Sequence, residues 1–63
     1  MGIDFAQKYL GKKCRIEFKD SYGRDITLDL RIWDIRCAPL YGNFLMGDTY
    51  NVNLDMITSI LLR

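Results

Sequence analysis

From Lys13 onward the chain alternates strictly, with Cys14, Ile16 and Phe18 on one side and Lys13, Arg15, Glu17 and Lys19 on the other. A period of two is the pattern of a half-buried β-strand. Asp20-Ser21-Tyr22-Gly23 then supplies turn chemistry. A second, longer alternation sets Ile26, Leu28, Leu30 and Ile32 against Thr27, Asp29 and Arg31 before its phase slips, making Trp33, Ile35 and Cys37 the apolar set opposite Asp34 and Arg36. A one-residue slip turns every later side chain to the opposite face, so the pattern predicts a bulge or sharp bend near Ile32-Trp33.

Ala38-Pro39-Leu40-Tyr41-Gly42 breaks the sheet, because its proline cannot donate to a ladder. A third strand is expected over 43–46, followed by a two-residue turn at Gly47-Asp48 in which the glycine takes a positive φ. Tyr50, Val52 and Leu54 alternate with Asn51 and Asn53 in a fourth strand. Asp55-Met56 connects it to a fifth over 57–62. Ahead of all this the spacing is helical: Phe5 and Tyr9 stand four apart, as do Ala6 and Leu10. The expectation is a short helix over about 4–10, with Asp4 as its cap, Ile3 as a staple and Gly11 as its stop. A helix of about two turns needs something to dock on. The residues 1–63 thus read as one mostly-β domain: a short N-terminal helix, then a five-stranded, strongly bent small barrel over about 12–62. An open sheet with the helix on one face is the alternative.

Composition adds a constraint. With only 63 residues, an isolated core is marginal, and small scaffolds compensate with disulfides, metals or association. The chain has no His and two Cys, too few ligands for zinc, so no metal and no cofactor are expected. The first residues carry no basic-then-apolar leader, which sets a cytoplasmic location and free, inward-facing thiols at Cys14 and Cys37 as expectations. One Trp, three Phe and four Tyr are more aromatic surface than so small a core can hide. Some of it is therefore expected at an interface, with Trp33, Tyr50 and Leu61 as candidates. The net charge of +1 gives no strongly basic footprint. No apolar run approaches the roughly 20 residues of a membrane span.

Catalytic patterns are not legible here. Without His the usual nucleophile–base pairings vanish, and Glu17, Asp29 and Asp34 alternate with cations as solvated faces do. Gly42 and Gly47 flank a strand rather than a phosphate-cradling strand-to-helix turn. The expectation is a binding protein, not an enzyme.

The layout resembles the Sm-like family, which includes the Hfq-type RNA chaperones. Leu10-Gly11-Lys12-Lys13-Cys14-Arg15-Ile16-Glu17-Phe18-Lys19-Asp20 looks like that family's helix exit and first strand. Trp33-Asp34 resembles its hydrophobic-Asp step at the bend, and Ile57-Thr58-Ser59-Ile60 is similar to the Ile-x-x-Ile close of its second motif. The Arg-Gly step before that close is replaced by Asn53-Leu54-Asp55-Met56. Cys37-Ala38-Pro39 displaces the expected Asn, and the Lys-His pair of Hfq-type members has no counterpart. A second likeness runs through Asn43-Phe44-Leu45 and Val52-Asn53-Leu54-Asp55-Met56-Ile57. These look like the Trp-Tyr-Leu and Leu-Asp-Arg-Ile stretches of WYL domains, with Met56 in place of the Arg. Both resemblances imply the same small barrel. The first also implies assembly into homo-oligomeric rings that bind RNA.

Candidate nucleic-acid contacts are Lys12, Lys13, Arg15 and Arg36 for phosphates, and Tyr41 and Phe44 for stacking. Lys19 and Arg31 extend the same stripe. Two functions stay open: a ring-forming Sm-like protein that binds RNA or single-stranded nucleic acid, and a protein-interaction module, such as an adaptor or small inhibitor, with no nucleic-acid ligand.

Overall fold

A computed structural model describes residues 2–63. A single α-helical turn, α1 (Ile3–Ala6), runs into a 3₁₀ turn, Gln7–Tyr9. Five antiparallel strands follow: β1 (Lys13–Lys19), β2 (Asp25–Ala38), β3 (Gly42–Gly47), β4 (Asn51–Asn53) and β5 (Ile57–Leu62). Their order in the sheet is β4-β3-β2-β1-β5.

β2 is shared by two half-sheets. Its first half pairs with β1, from Lys19 opposite Asp25 to Lys13 opposite Arg31, and its second half pairs with β3, from Ile32 opposite Gly47 to Ala38 opposite Gly42. The change of partner coincides with a register shift between Ile32 and Asp34. This is the bulge that the phase slip calls for. Trp33 is the extra residue, so Ile32 is buried and Ile35 still packs against the core while Trp33 lies exposed between them. The expected apolar set therefore holds only at Ile35. Trp33 is turned outward by the bulge, and Cys37 sits exposed near the far end of β2 rather than facing inward. Cys14 is buried as expected.

Gly11 ends the helical segment with φ +77°, a conformation that side chains resist. Its N–H donates to the Ile32 carbonyl at 2.6 Å, and the Ile32 N–H donates to the Lys12 carbonyl at 3.0 Å. The helix exit is thereby fastened to the bend.

The core joins Ala6, Cys14, Ile16, Phe18, Leu30, Ile32, Leu45, Val52, Leu54, Ile57 and Ile60. It contains residues from every strand, because the bent sheet wraps around it. The sheet does not close into the barrel expected from the sequence. β4 has three residues and pairs only with β3, and the 3₁₀ turn Leu54–Met56 then redirects the chain so that β5 pairs with β1. The two edge strands, β4 and β5, remain separate.

The helix also differs from its expectation. It breaks after one α turn, Asp4 lies inside the first turn, and Gly2 stands at the cap position without a side-chain cap bond. Only Ala6 of this segment is fully buried, while Phe5 and Leu10 stay 46% and 41% exposed. Too few turns exist for propagation to hold a regular helix without deeper docking. No helix among the described residues is long and apolar enough to cross a membrane.

Candidate nucleic-acid interface

The outer side of the sheet carries the chemistry, because the inner side is filled by the core. No pocket is found among the described residues, so the candidate site is a surface. Two groups of side chains stand on it, one on each side of the bend in β2.

The first group is built by register. Arg15 lies directly across from Asp29 on β2 and from Leu61 on β5, while Lys13 lies across from Arg31. The Arg15 Nε donates to an Asp29 oxygen at 3.1 Å, and Arg63 approaches the other oxygen at 3.6 Å. Arg63 is tied to this face by its own N–H, which donates to the Lys13 carbonyl at 2.9 Å. Arg31 turns its guanidinium to the Gly11 carbonyl at 3.1 Å. The hydrogen bond from Arg15 is the main cause that holds the Asp29 carboxyl below its usual range, with the charges of Arg15, Arg63 and Lys13 adding to it. The same bond raises Arg15. Cations outnumber carboxylates here, with Glu17 next along β1. Lys19 at the far end is paired with Asp25 at 2.7 Å.

The second group lies beyond the bulge. The Trp33 Nε1 donates to the Gly47 carbonyl at 3.2 Å, and the Arg36 guanidinium stands 5.9 Å from the indole centroid. Arg36 donates to Asp34 at 2.7 Å, and that bond is the main cause lowering the Asp34 carboxyl, followed by the bond from the Ile35 N–H. Phe44, half-buried, is directly opposite Arg36 on β3.

Of the residues singled out from the sequence, Lys13 and Arg15 fall in the first group and Arg36 and Phe44 in the second. Lys12 precedes β1 and contributes its carbonyl to the bend. Tyr41 belongs to neither group. It sits 72% exposed at the β2–β3 turn, where its carbonyl accepts from the Asn53 side chain at 3.0 Å. Of the interface candidates, Trp33 joins the second group. Tyr50 stacks on Phe18 at 5.6 Å between centroids while remaining half exposed, and Leu61 is exposed on β5 beside Arg15. Asp29 as the anchor and Arg63 as a neighbour escape sequence reading. Alternation shows that Asp29 faces outward, but only the register places it between two arginines.

No family model matches the chain, and no curated protein or solved structure is significantly similar to it.

Proposed function

We propose that the protein is a non-catalytic, Sm-like binding module that associates through its sheet edges and holds RNA or other single-stranded nucleic acid on its outer face. One observation carries this reading: in a chain of net charge +1, Arg15 and Arg63 both reach Asp29 while Lys13 and Arg31 face each other beside them, so four cations stand against two carboxylates, Asp29 and Glu17. Like charges directly opposite on neighbouring strands, as Lys13 and Arg31 are, cost up to about 1 kcal/mol. A phosphate between them turns that cost into a contact. Association is supported by the two unpaired edges. β5 presents six residues with Leu61 and Leu62 each 58% exposed, and pairing it with β4 of a neighbour closes a cyclic ring.

The test is anisotropy of labelled uridine-rich and adenine-rich single strands at low ionic strength. The reading predicts binding that weakens steeply as salt rises. No binding of either strand at low salt contradicts it.

A second reading, the protein-interaction module, is favoured by a separate observation. Leu40 is fully exposed at φ +77°, beside Tyr41 at the same turn. Glycine would occupy that backbone position at less cost, and an apolar tip held there suits insertion into a protein socket. This reading leads if the nucleic-acid test fails.

A further inference from the structure

Trp33 is the chain's single tryptophan, and it occupies the bulge that lets β2 turn its corner. A bulge residue on the outer side does not have to fill the core. Here an indole stands 56% exposed. It is also fixed. Its Nε1–H is tied to Gly47, and the Arg36 guanidinium near its ring is itself held by Asp34. Phe44 lies directly across from Arg36. An indole and a guanidinium are thus ordered in advance, with a half-buried phenyl ring at the register position across from them on the same half-sheet.

Flat groups fixed before binding stack on a base with little further loss of entropy. The occupant is indicated by what lies on the same outer side of β2, five positions earlier: Arg31, facing Lys13. At about 3.3 Å per residue, the path along the strand from Arg31 to Arg36 is at most roughly 16 Å and the bend at Trp33 shortens it, a span that a few linked nucleotides cover. Resting on the single-strand reading above, we infer that Trp33, Arg36 and Phe44 form a base-stacking subsite. Lys13 and Arg31 hold phosphates of the same strand on the other side of the bend. A duplex keeps its bases stacked on one another and offers only phosphates, so the surface prefers single strands.

Trp33 reports on its own occupancy. Its emission and the anisotropy of end-labelled oligouridylate and oligoadenylate, each about 12 nucleotides long, are followed in one titration. The expected result is quenching of Trp33 in step with the anisotropy, and weaker binding without quenching for a duplex of the same length. Trp33→Ala weakens single-strand binding about 5- to 150-fold without changing the salt slope. Its urea midpoint, compared with that of the parent, separates loss of stacking from loss of fold. Binding by anisotropy with unchanged Trp33 emission, or with equal affinity for single strand and duplex, overturns the stacking subsite and leaves the proposed function standing. No binding at all removes both. Quenching in the parent needs no variant, so a poorly folded Trp33→Ala does not rescue or spoil the test.

Discussion

Gly47 is buried in β3, and a Cβ built there would stand 2.7 Å from the Tyr50 carbonyl oxygen and 3.0 Å from the Leu30 Cδ1. The first contact is with backbone and cannot move cheaply. Gly47→Ala should therefore lower stability by about 1–3 kcal/mol, read as a shift of the urea midpoint at constant slope. The sequence marks this glycine as special but suggests the wrong reason. It is not among the positive-φ residues, and the hairpin turns on Asp48 and Thr49 with Gly47 N–H donating to Tyr50 at 2.9 Å. The true cause is the close approach of the Tyr50 carbonyl across the hairpin, with Leu30 behind it, and neither contact can be read before the hairpin geometry and the β2 register are known. Leu40 presents the opposite case. Its φ of +77° costs a side-chain-bearing residue more than a glycine's extra entropy, so Leu40→Gly should raise stability by about 0.5–1 kcal/mol. The thiols should divide likewise. Burial raises the Cys14 pKa and hides its sulfur, whereas Cys37 is open. A thiol reagent should modify Cys37 in the native protein and Cys14 only on unfolding, and reductant should leave the melting temperature unchanged.

At the level of elements, β2 and its two connections decide the shape. The bend is legible because alternation is a strong signal and a slip in it has only one mechanical remedy. The register is not legible, since it depends on how the hairpin after β1 is closed. Asp20 closes it: one carboxylate oxygen accepts from the Tyr22 and Arg24 N–H groups at 2.9 Å each, and the other accepts from the Arg24 Nε at 2.8 Å. These bonds, with that of the Arg24 N–H foremost, lower the Asp20 carboxyl, as Arg15 lowers Asp29 and Arg36 lowers Asp34. A carboxyl depressed by folding stabilises the native state above its unfolded pKa and loses that contribution as pH falls through the folded value. The melting temperature should thus hold steady above about pH 5 and decline as the medium is acidified below about pH 4. Asp20→Asn should flatten that decline. On the other side of the bend, Asp48 continues the ladder where β2 changes partner. Its N–H donates to the Arg31 carbonyl at 3.1 Å, and its side chain accepts from the Arg31 N–H at 3.2 Å. Asp48→Ala retains the first bond and loses the second, at a cost of about 0.5–1.5 kcal/mol in chemical denaturation.

The whole molecule is small enough that single residues matter to its existence. Ile16 is fully buried at the centre of β1, and Ile16→Ala should cost about 2–5 kcal/mol. A single core of this size rarely supplies more than about 3–5 kcal/mol, so the variant should be largely unfolded by circular dichroism at room temperature. The same shortage, with two open edges, is why association is proposed. Light scattering at micromolar concentration should give a mass several times that of one chain, and a stable monomer would contradict the ring. At this scale the element inventory was readable and closure was not, because closure depends on the length of β4 and the 3₁₀ turn after it. The outer face tests the account most directly. Lys13 and Arg31 are exposed and face each other as like charges, and Arg31 also donates to the Gly11 carbonyl, so in Lys13→Ala with Arg31→Ala the relieved repulsion offsets the lost bond and stability should change by no more than about 1 kcal/mol. The decisive measurement is single-strand affinity against salt concentration for the parent and this double variant. The account predicts a logarithmic slope shallower by about 1.4 in the variant, two phosphate contacts having been removed. Parallel slopes with equal affinities would contradict it.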